Sequence, residues 1–490
     1  MESTAARGKR VKTQQHDPLY LVIDQGSHAT RAFVFDAAGR RISEGWTQVT
    51  TARPAPDRVE HDARALLDGT RHAITAAIKD LDRPENLVAA GLATQRSTIV
   101  CWDKRSGTPL TPAISWQDTR NQSLISELAT GAQRVRQLTG LPLSAHYGAS
   151  KLRWCLEEIP AVRKALEAKT LAWGPLASYL LYGLLQEKPL ICDPANAART
   201  LLWDLRQRDW SNELLGLFEL PREPLPLCVH TRASHGHLSI GDRHIPLQLC
   251  TGDQSAVPFA AGWPEAGRVT VNAGTGAFIQ RATPDGPVRS DNLLTGIIYA
   301  DSHRVAYTLE GTVNGAGAAI EAIAPELGVG PDEVFAELDL SREDVPVFLN
   351  GIGGLGSPFW QPGFVSRFVG DGSPARKLQA VLESVLFLIQ TNLDELRAAS
   401  GELSEIALTG GLSREPVFVQ GLADLSGLVV LHAEHEEATA RGVAFLLNEK
   451  VARWPDARGP AVTPRKNPAL ARHYQRWQQA MAKALANTRA

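Results

Sequence analysis

No stretch of the chain is apolar for long enough to cross a bilayer, and residues 1–18, MESTAARGKRVKTQQHDP, lack the apolar middle of a signal peptide. A soluble, cytoplasmic protein is expected. Neither sign of charge is in excess: 51 Lys and Arg face 53 Asp and Glu, for a formal net charge of -2. Binding along a nucleic-acid backbone needs a basic face, so neither nucleic acid nor membrane is expected as partner, and a small molecule is. The cysteines, Cys101, Cys155, Cys192, Cys228 and Cys250, are odd in number, scattered and never in a CxxC pair. That excludes a disulfide framework and a thiolate metal site and leaves them as reduced packing residues. There is no GxxxxGK[ST], and no GxGxxG opening a helix after a strand, so the two commonest glycine-rich phosphate loops are also missing.

What the chain does have is length and alternation. Its 490 residues, 43% of them hydrophobic, can bury a sizeable core and suggest at least two domains. Structure is expected to begin at LYLVID (19–24), an apolar run that fits a strand buried on both faces. A helix follows behind Asp62 as N-cap, carrying Leu66, Leu67, Ile74, Ala77 and Ile78 at helical spacing, and then another buried strand, LVAAGLATQ. A second long helix is expected over 377–398. Interleaved strands and helices give an α/β architecture.

One stretch has an unusual design. VIDQGSHATRAFVFD (22–36) is an apolar hairpin with a polar, glycine-containing tip, and VTVNAGTGAFIQ (269–280) repeats the plan about half a chain later. Two α/β domains of related design follow, over 19–261 and 262–447, with the turn-rich AAGWPEAGR (260–268) as the join and a ligand cleft between them. Residues 1–18 are expected to be a disordered basic tail. Residues 448–490 form an extension whose basic, helix-compatible end reads as a solvated face. At such tips backbone N–H groups and hydroxyls approach an oxyanion closely, which suits phosphate. Asp24, at a strand end, is placed to hold Mg2+ directly or through water, and Arg31 to meet a phosphate as a fork. Taken singly, such a hairpin is more often a plain turn.

DQGSHATRAFVFD resembles the first phosphate motif of the FGGY family of carbohydrate kinases, and of its glycerol kinases in particular. The resemblance continues in the family's order from about residue 19 to 447, through VEHDARALL, TQRSTIVCWD, ISWQDTR, TGLPLSAHYGASKLRW, TGDQSA, NAGTGAF, LEGTVNGAGAAI, GLGSPFW, TGGLSREPVFVQ and EATARGVAFL. It implies two actin-like, ribonuclease-H-type domains closing on ATP and a sugar or polyol, in a family whose members are often homo-oligomers. It also implies roles. Asp253 matches the carboxylate that accepts the substrate hydroxyl's proton, a job phosphoryl transfer requires near the attacking oxygen. Asp24 would position Mg2+, and Ser27, His28, Thr30 and Arg31 the transferring phosphate. Gly274, Thr275 and Gly276 match the second phosphate loop. Gly410 and Gly411 match the turn against which adenine lies, and Glu415 falls where an adenine-contacting Asn is usual. Arg96, Ser97, Trp116, His146 and Gln254 fall in the substrate pocket, along with Asp253.

The pocket departs from the glycerol kinase pattern. Ser97 stands where those enzymes carry a Glu, and losing that charge-assisted acceptor costs ~1.5–3 kcal/mol toward the original ligand if its hydroxyl is left unpaired. His28 replaces a Thr at the tip, and His146, beside Tyr147, falls where a Tyr is usual. The expected activity is therefore ATP-dependent phosphorylation of glycerol or a related small polyol or sugar. The alternative is a four- or five-carbon polyol or ketose, as in xylulokinases. A different class of reading is an actin-like, nucleotide-gated binding protein, or a degenerate kinase that binds sugar without turnover.

Overall fold

A computed structural model of the chain describes residues 17–330, 335, 338–432, 437–448, 451–454 and 460–488. Nearly all of the expected basic tail lies outside them. The apolar run at the start forms β1 (Leu19–Gln25), which turns through the polar tip into β2 (Ala29–Asp36) and then β3 (Arg41–Gln48). Parallel to β1 runs β4 (Leu87–Thr94), and beyond it the hairpin of β5 (Arg232–Ile240) and β6 (Arg243–Gly252), giving the sheet order β5-β6-β4-β1-β2-β3. Apolar residues cover both faces of the buried strands, which is why they read as continuous runs.

The second hairpin rebuilds the same pattern. It comprises β7 (Arg268–Ala273) and β8 (Ala277–Thr283), followed by β9 (Leu294–Ala300), β10 (Val305–Val313), β11 (Glu405–Thr409), β12 (Val429–His432) and β13 (Ala461–Val462), in the order β9-β10-β8-β7-β11-β12-β13. Strands β3-β2-β1-β4-β6 correspond one for one with β10-β8-β7-β11-β12, including which pairs are parallel. The sequence echo of two hairpins is thus a repeat of a whole five-stranded unit.

Helices cover the sheets. Asp62 caps α1 (Ala63–Lys79), its Oδ1 accepting the Ala65 N–H at 3.0 Å. A smaller five-stranded sheet is built from strands lying between residues 52 and 175, and α2 (Gly148–Glu158) packs against it. On the second sheet, α3 (Gly317–Glu326) packs beside the 27-residue α4 (Pro374–Ser400), whose inward stripe runs from Leu378 to Leu396. Late in the chain α5 (Ala438–Leu447) crosses back onto the first sheet, where Val443 meets the open face of Gly91 on β4.

The C-terminal extension corrects its reading as a solvated face. Leu470, Trp477 and Met481 of α6 (Pro468–Thr488) are 1%, 1% and 2% exposed and belong to the same core as α4. Buried His473 meets buried Glu383 of α4, Nδ1 to Oε2, at 3.0 Å. The basic residues hid an apolar stripe at helical spacing, and an amphipathic helix buries its stripe whatever its other face carries.

Candidate active site

Three parallel strands deliver the site. The register pairs Gln25 of β1 with Thr94 of β4, and Thr94 with Gly252 of β6. All three strands therefore end level, and the residues just beyond them emerge side by side: the tip at Ser27 and His28, the loop at Arg96 and Ser97, and the one-turn helix that begins at Asp253. The carboxyl ends of parallel strands are where open α/β sheets place ligands. Gly252 has to be a glycine, because a Cβ there would lie 2.5 Å from Arg96 Cγ.

Charge at this edge is dense. Arg96 Nε lies 3.8 Å from Asp253 Oδ1, and Asp253 Oδ1 also accepts the Gln254 N–H at 2.6 Å. Burial raises the Asp253 carboxyl above its ordinary range, against the pull of Arg96. Asp24 is pushed up to about 7, first by burial and then by Asp253 and Glu437, with Arg31 opposing. Arg31 gives Nη1 to both oxygens of Glu437, at 2.9 and 2.8 Å, tying the first tip to the residue that precedes α5. A crowded carboxylate edge of this kind favours binding of a cation.

From across the molecule, Glu310 on β10 reaches the same loop. Its carboxylate accepts Arg96 Nη1 at 3.0 Å and Nη2 at 3.1 Å, Arg199 Nη2 at 2.8 Å and Gln280 Nε2 at 2.8 Å. Burial alone would raise the Glu310 carboxyl, but Arg199 and Arg96 outweigh it and hold it at about 2. The fork of Arg96 is therefore committed to Glu310, and its Nε side faces Asp253.

A chain of polar contacts links the tip to the pocket. Trp116 Nε1 donates to Ser27 Oγ at 2.8 Å, and the indole meets the His146 ring edge to face at 5.5 Å. His146 in turn packs edge-on to Tyr147 at 5.3 Å, so the two adjacent rings border the same spot. Burial, then Lys151, Arg199 and Arg96, hold the His146 imidazole down to about 3, and it stays neutral at pH 7. Lys151 of α2 is fully buried, and its Nζ donates to the carbonyls of Ser115 and His146 at 2.7 Å and of Ser97 at 3.4 Å. One ammonium thus fixes the three loops that carry Arg96, Trp116 and His146. Burial brings that ammonium down to about 7.

The second sheet offers a matching edge. Asn272 of β7 pairs with Thr409 of β11, so the tip at Gly274, Thr275 and Gly276 emerges beside Gly410 and Gly411. Gly410 has φ +90°, and a Cβ there would lie 2.5 Å from the Ala273 carbonyl oxygen. The tip's carbonyls are engaged, Gly274 O by Gly317 N–H at 2.8 Å and Thr275 O by Ala316 and Ala318 N–H at 3.0 Å. Asn272 Nδ2 bridges to Gln254 Oε1 at 3.1 Å, joining this edge to the Asp253 helix.

Asp24, Ser27, Arg31, Arg96, Trp116, His146, Asp253 and Gln254 thus share one connected network. Thr30 does not join it, and this corrects its expected place on the tip: it is 1% exposed, and its Oγ1 is buried without a hydrogen-bond partner. On a strand, alternate residues face opposite ways, so Arg31 reaches out where Thr30 turns in. His28 is exposed at the tip, and Ser97 is buried in left-handed backbone with φ +63°. Glu415 precedes the helix Pro416–Ser426, and burial raises its carboxyl. Glu310, Arg199, Lys151 and Glu437 were not anticipated. Only a charged residue set among apolar neighbours, as Glu310 is in YTLEG, marks them in the sequence. Among the described residues no three His, Cys, Asp or Glu side chains gather to hold a metal by themselves, and no helix is long and apolar enough to cross a membrane.

Comparison with known proteins gives this geometry its context. Residues 19–262 match the N-terminal domain of the FGGY family of carbohydrate kinases, and residues 269–448 match its C-terminal domain. A glycerol kinase of Dechloromonas aromatica is 33% identical over 453 residues, covering 90% of each chain. One of Shewanella halifaxensis is 31% identical over 94% of this chain and 98% of its own. Solved structures of a Plasmodium falciparum glycerol kinase with ADP and of a Brucella ovis xylulose kinase each superpose with TM-score 0.85 at 22% identity. They cover 96% of this chain and 98% and 100% of theirs, and at that identity they speak for the two-domain, actin-like fold alone. With two family domains matched end to end over the edges just described, the chain belongs to the FGGY family of carbohydrate kinases and is an ATP-dependent, glycerol kinase-like phosphotransferase.

Proposed function

We propose that this kinase transfers the ATP γ-phosphate to a hydroxyl of glycerol or a related small polyol, with Asp253 as the general base. The observation that carries this reading is the position of Asp253, held beside Arg96 at 3.8 Å, on the edge it shares with the Ser27 tip and Asp24. In-line phosphoryl transfer needs positioning and charge neutralisation more than covalent help, and a carboxylate near the attacking oxygen takes up the proton as the new bond forms. The polyol lies among Trp116, His146, Gln254 and Arg96, its carbon side on the indole face. Gln254 both donates and accepts. Ser27, His28 and Arg31 hold the transferring phosphate once Arg31 leaves Glu437. The tip at 274–276 and the turn at Gly410 and Gly411 cradle the rest of the nucleotide, with Glu415 near the base.

Mg2+ fits this arrangement. It binds through one or two carboxylates plus substrate phosphates, with no need of a full protein cage, and Asp24 supplies such an oxygen where neighbouring carboxylates already resist a second negative charge. When bound, the cation would neutralise phosphate charge. The proposal includes the division into a substrate and phosphate unit over 19–261 and a nucleotide unit over 262–447, a cytoplasmic location, and assembly of copies of the chain.

A second reading, a four- or five-carbon polyol or ketose, is favoured by one observation: the small Ser97 stands where a charged acceptor is usual in glycerol kinases. ATP consumption by the purified protein with Mg2+, measured from glycerol through erythritol and the pentitols to pentuloses, separates the two. Highest kcat/KM on glycerol supports the first reading. A clear preference for longer substrates overturns it for the second, and no turnover on any member overturns both.

A further inference from the structure

On β7, Val269, Val271 and Ala273 turn into the core of the second half, so alternation sends the Asn272 side chain to the opposite face. There it meets the first half. Asn272 Nδ2 donates to Gln254 Oε1 at 3.1 Å, and among the described residues neither side chain makes another hydrogen bond. On its other side the Asn272 amide rests against Gly410, where a Cβ would come within 2.7 Å of Asn272 Oδ1. Strands disfavour Asn, so it is these contacts and not the sheet that its amide serves.

The bond decides what Gln254 offers to a ligand. A primary amide carries its acceptor at one end and two donors at the other, and tying Oε1 to Asn272 leaves Nε2 as the end free to turn toward the pocket. The Gln254 main-chain N–H is bound to Asp253 Oδ1 at 2.6 Å, which fixes the residue beside the proposed base. A donor at that point satisfies a hydroxyl oxygen and a carbonyl oxygen alike, because both accept. The reversed amide would serve the hydroxyl alone, since a carbonyl has no proton to give.

We infer that Asn272 is a specificity-determining positioning residue: by holding the Gln254 amide with Nε2 toward the pocket, it lets the enzyme take a ketose as well as the polyol of the same carbon skeleton. The inference rests on the proposed placement of Gln254 in the polyol pocket. It assigns the choice between polyol and ketose to a side chain of the second half, on the strand that leads into the tip at Gly274, acting through Gln254 and not on the substrate itself.

The test is kcat/KM with ATP and Mg2+ on two matched pairs, glycerol against dihydroxyacetone and erythritol against erythrulose. The full chain is compared with Asn272→Asp, Asn272→Ala, Gln254→Ala and Gln254→Ala/Asn272→Asp. Asn272→Asp keeps the shape but only accepts, so the Gln254 amide turns over, giving Nε2 to the new carboxylate and Oε1 to the substrate. The polyol-to-ketose ratio of kcat/KM should then rise at least about fivefold, the cost of leaving a carbonyl unpaired. In the Gln254→Ala background the same substitution should leave the ratio where it was, whereas a merely structural role would lower both members of a pair together. Asn272→Ala frees the amide without adding charge and should raise the ratio in the same direction, which keeps the test if Asn272→Asp fails to fold. A ratio unmoved or lowered by these variants, or raised equally without Gln254, overturns the inference and leaves the polyol pocket standing. Unchanged kcat/KM of Gln254→Ala on every substrate, or no turnover of any of them by the unmodified chain, overturns the placement of Gln254 and the inference with it.

Discussion

Glu310 closes on Arg96 with two bonds of 3.0 and 3.1 Å, joining a strand of the second sheet to the loop of the first that lines the proposed polyol pocket. Both side chains are nearly sealed from water, at 1% and 8% exposure, and Arg199 shares the carboxylate. The pocket is thus set by an ion triad that exists only while the two halves meet.

Removing the acceptor should expose how much depends on it. Breaking a buried pair leaves uncompensated charge at a cost of about 3–5 kcal/mol. Glu310→Gln is expected to lower unfolding free energy by about that much in urea denaturation and to raise KM for the polyol. An unchanged denaturation midpoint would show that the triad contributes nothing net.

Asp253→Asn keeps size and the bond to the Gln254 N–H but cannot take a proton. General-base assistance contributes typically about 10²–10⁴-fold, so kcat should fall within that range while ATP binding, followed by titration, is retained. Turnover within threefold of the parent would remove Asp253 from the mechanism.

Asp24 ties pH to activity and to stability in opposite directions. Its folded value of about 7 lies above the ordinary 3.8, so between those values the folded state holds a proton that the unfolded chain has released. Stability from this group therefore falls as pH rises through that window, whereas kcat/KM, if Asp24 positions Mg2+ as proposed, should climb toward a plateau above about 7. Glu437→Gln removes one of the charges that raise Asp24 and frees Arg31 to lower it, so the rising limb of kcat/KM should move to lower pH. A limb that stays in place would exclude Asp24 as its origin.

The C-terminal helix is structural. Trp477 is 1% exposed against Phe387, Tyr474 and the α4 core, and Trp477→Ala should cost about 3–5 kcal/mol in thermal or urea unfolding. A loss below 1 kcal/mol would mean that α6 adds little to the fold.

Some of this was legible in the residues, and some was hidden for identifiable reasons. The apolar hairpins, the Asp62 cap and the α4 stripe are local patterns, and each appears where its periodicity put it. The α6 stripe was overlooked because its spacing was outweighed by Lys and Arg on the other face. Thr30 was placed on the tip by its position in a motif, yet alternation along β2 turns it inward. Glu310 is not legible locally because Arg96 and Arg199 reach it across 214 and 111 residues of chain, and Lys151 because two of the three carbonyls it holds, those of Ser97 and Ser115, are 54 and 36 residues away.

By itself the sequence determined the two repeated α/β units, the polar tips on apolar hairpins and the family, because these depend on short-range periodicity and ordered motifs. Only the tertiary structure decided that Arg96 is bound by Glu310, that Arg31 rests on Glu437 and that a buried Lys151 fixes the pocket loops. Those pairings depend on which strands end level and which halves meet, and a linear order of residues does not contain that information.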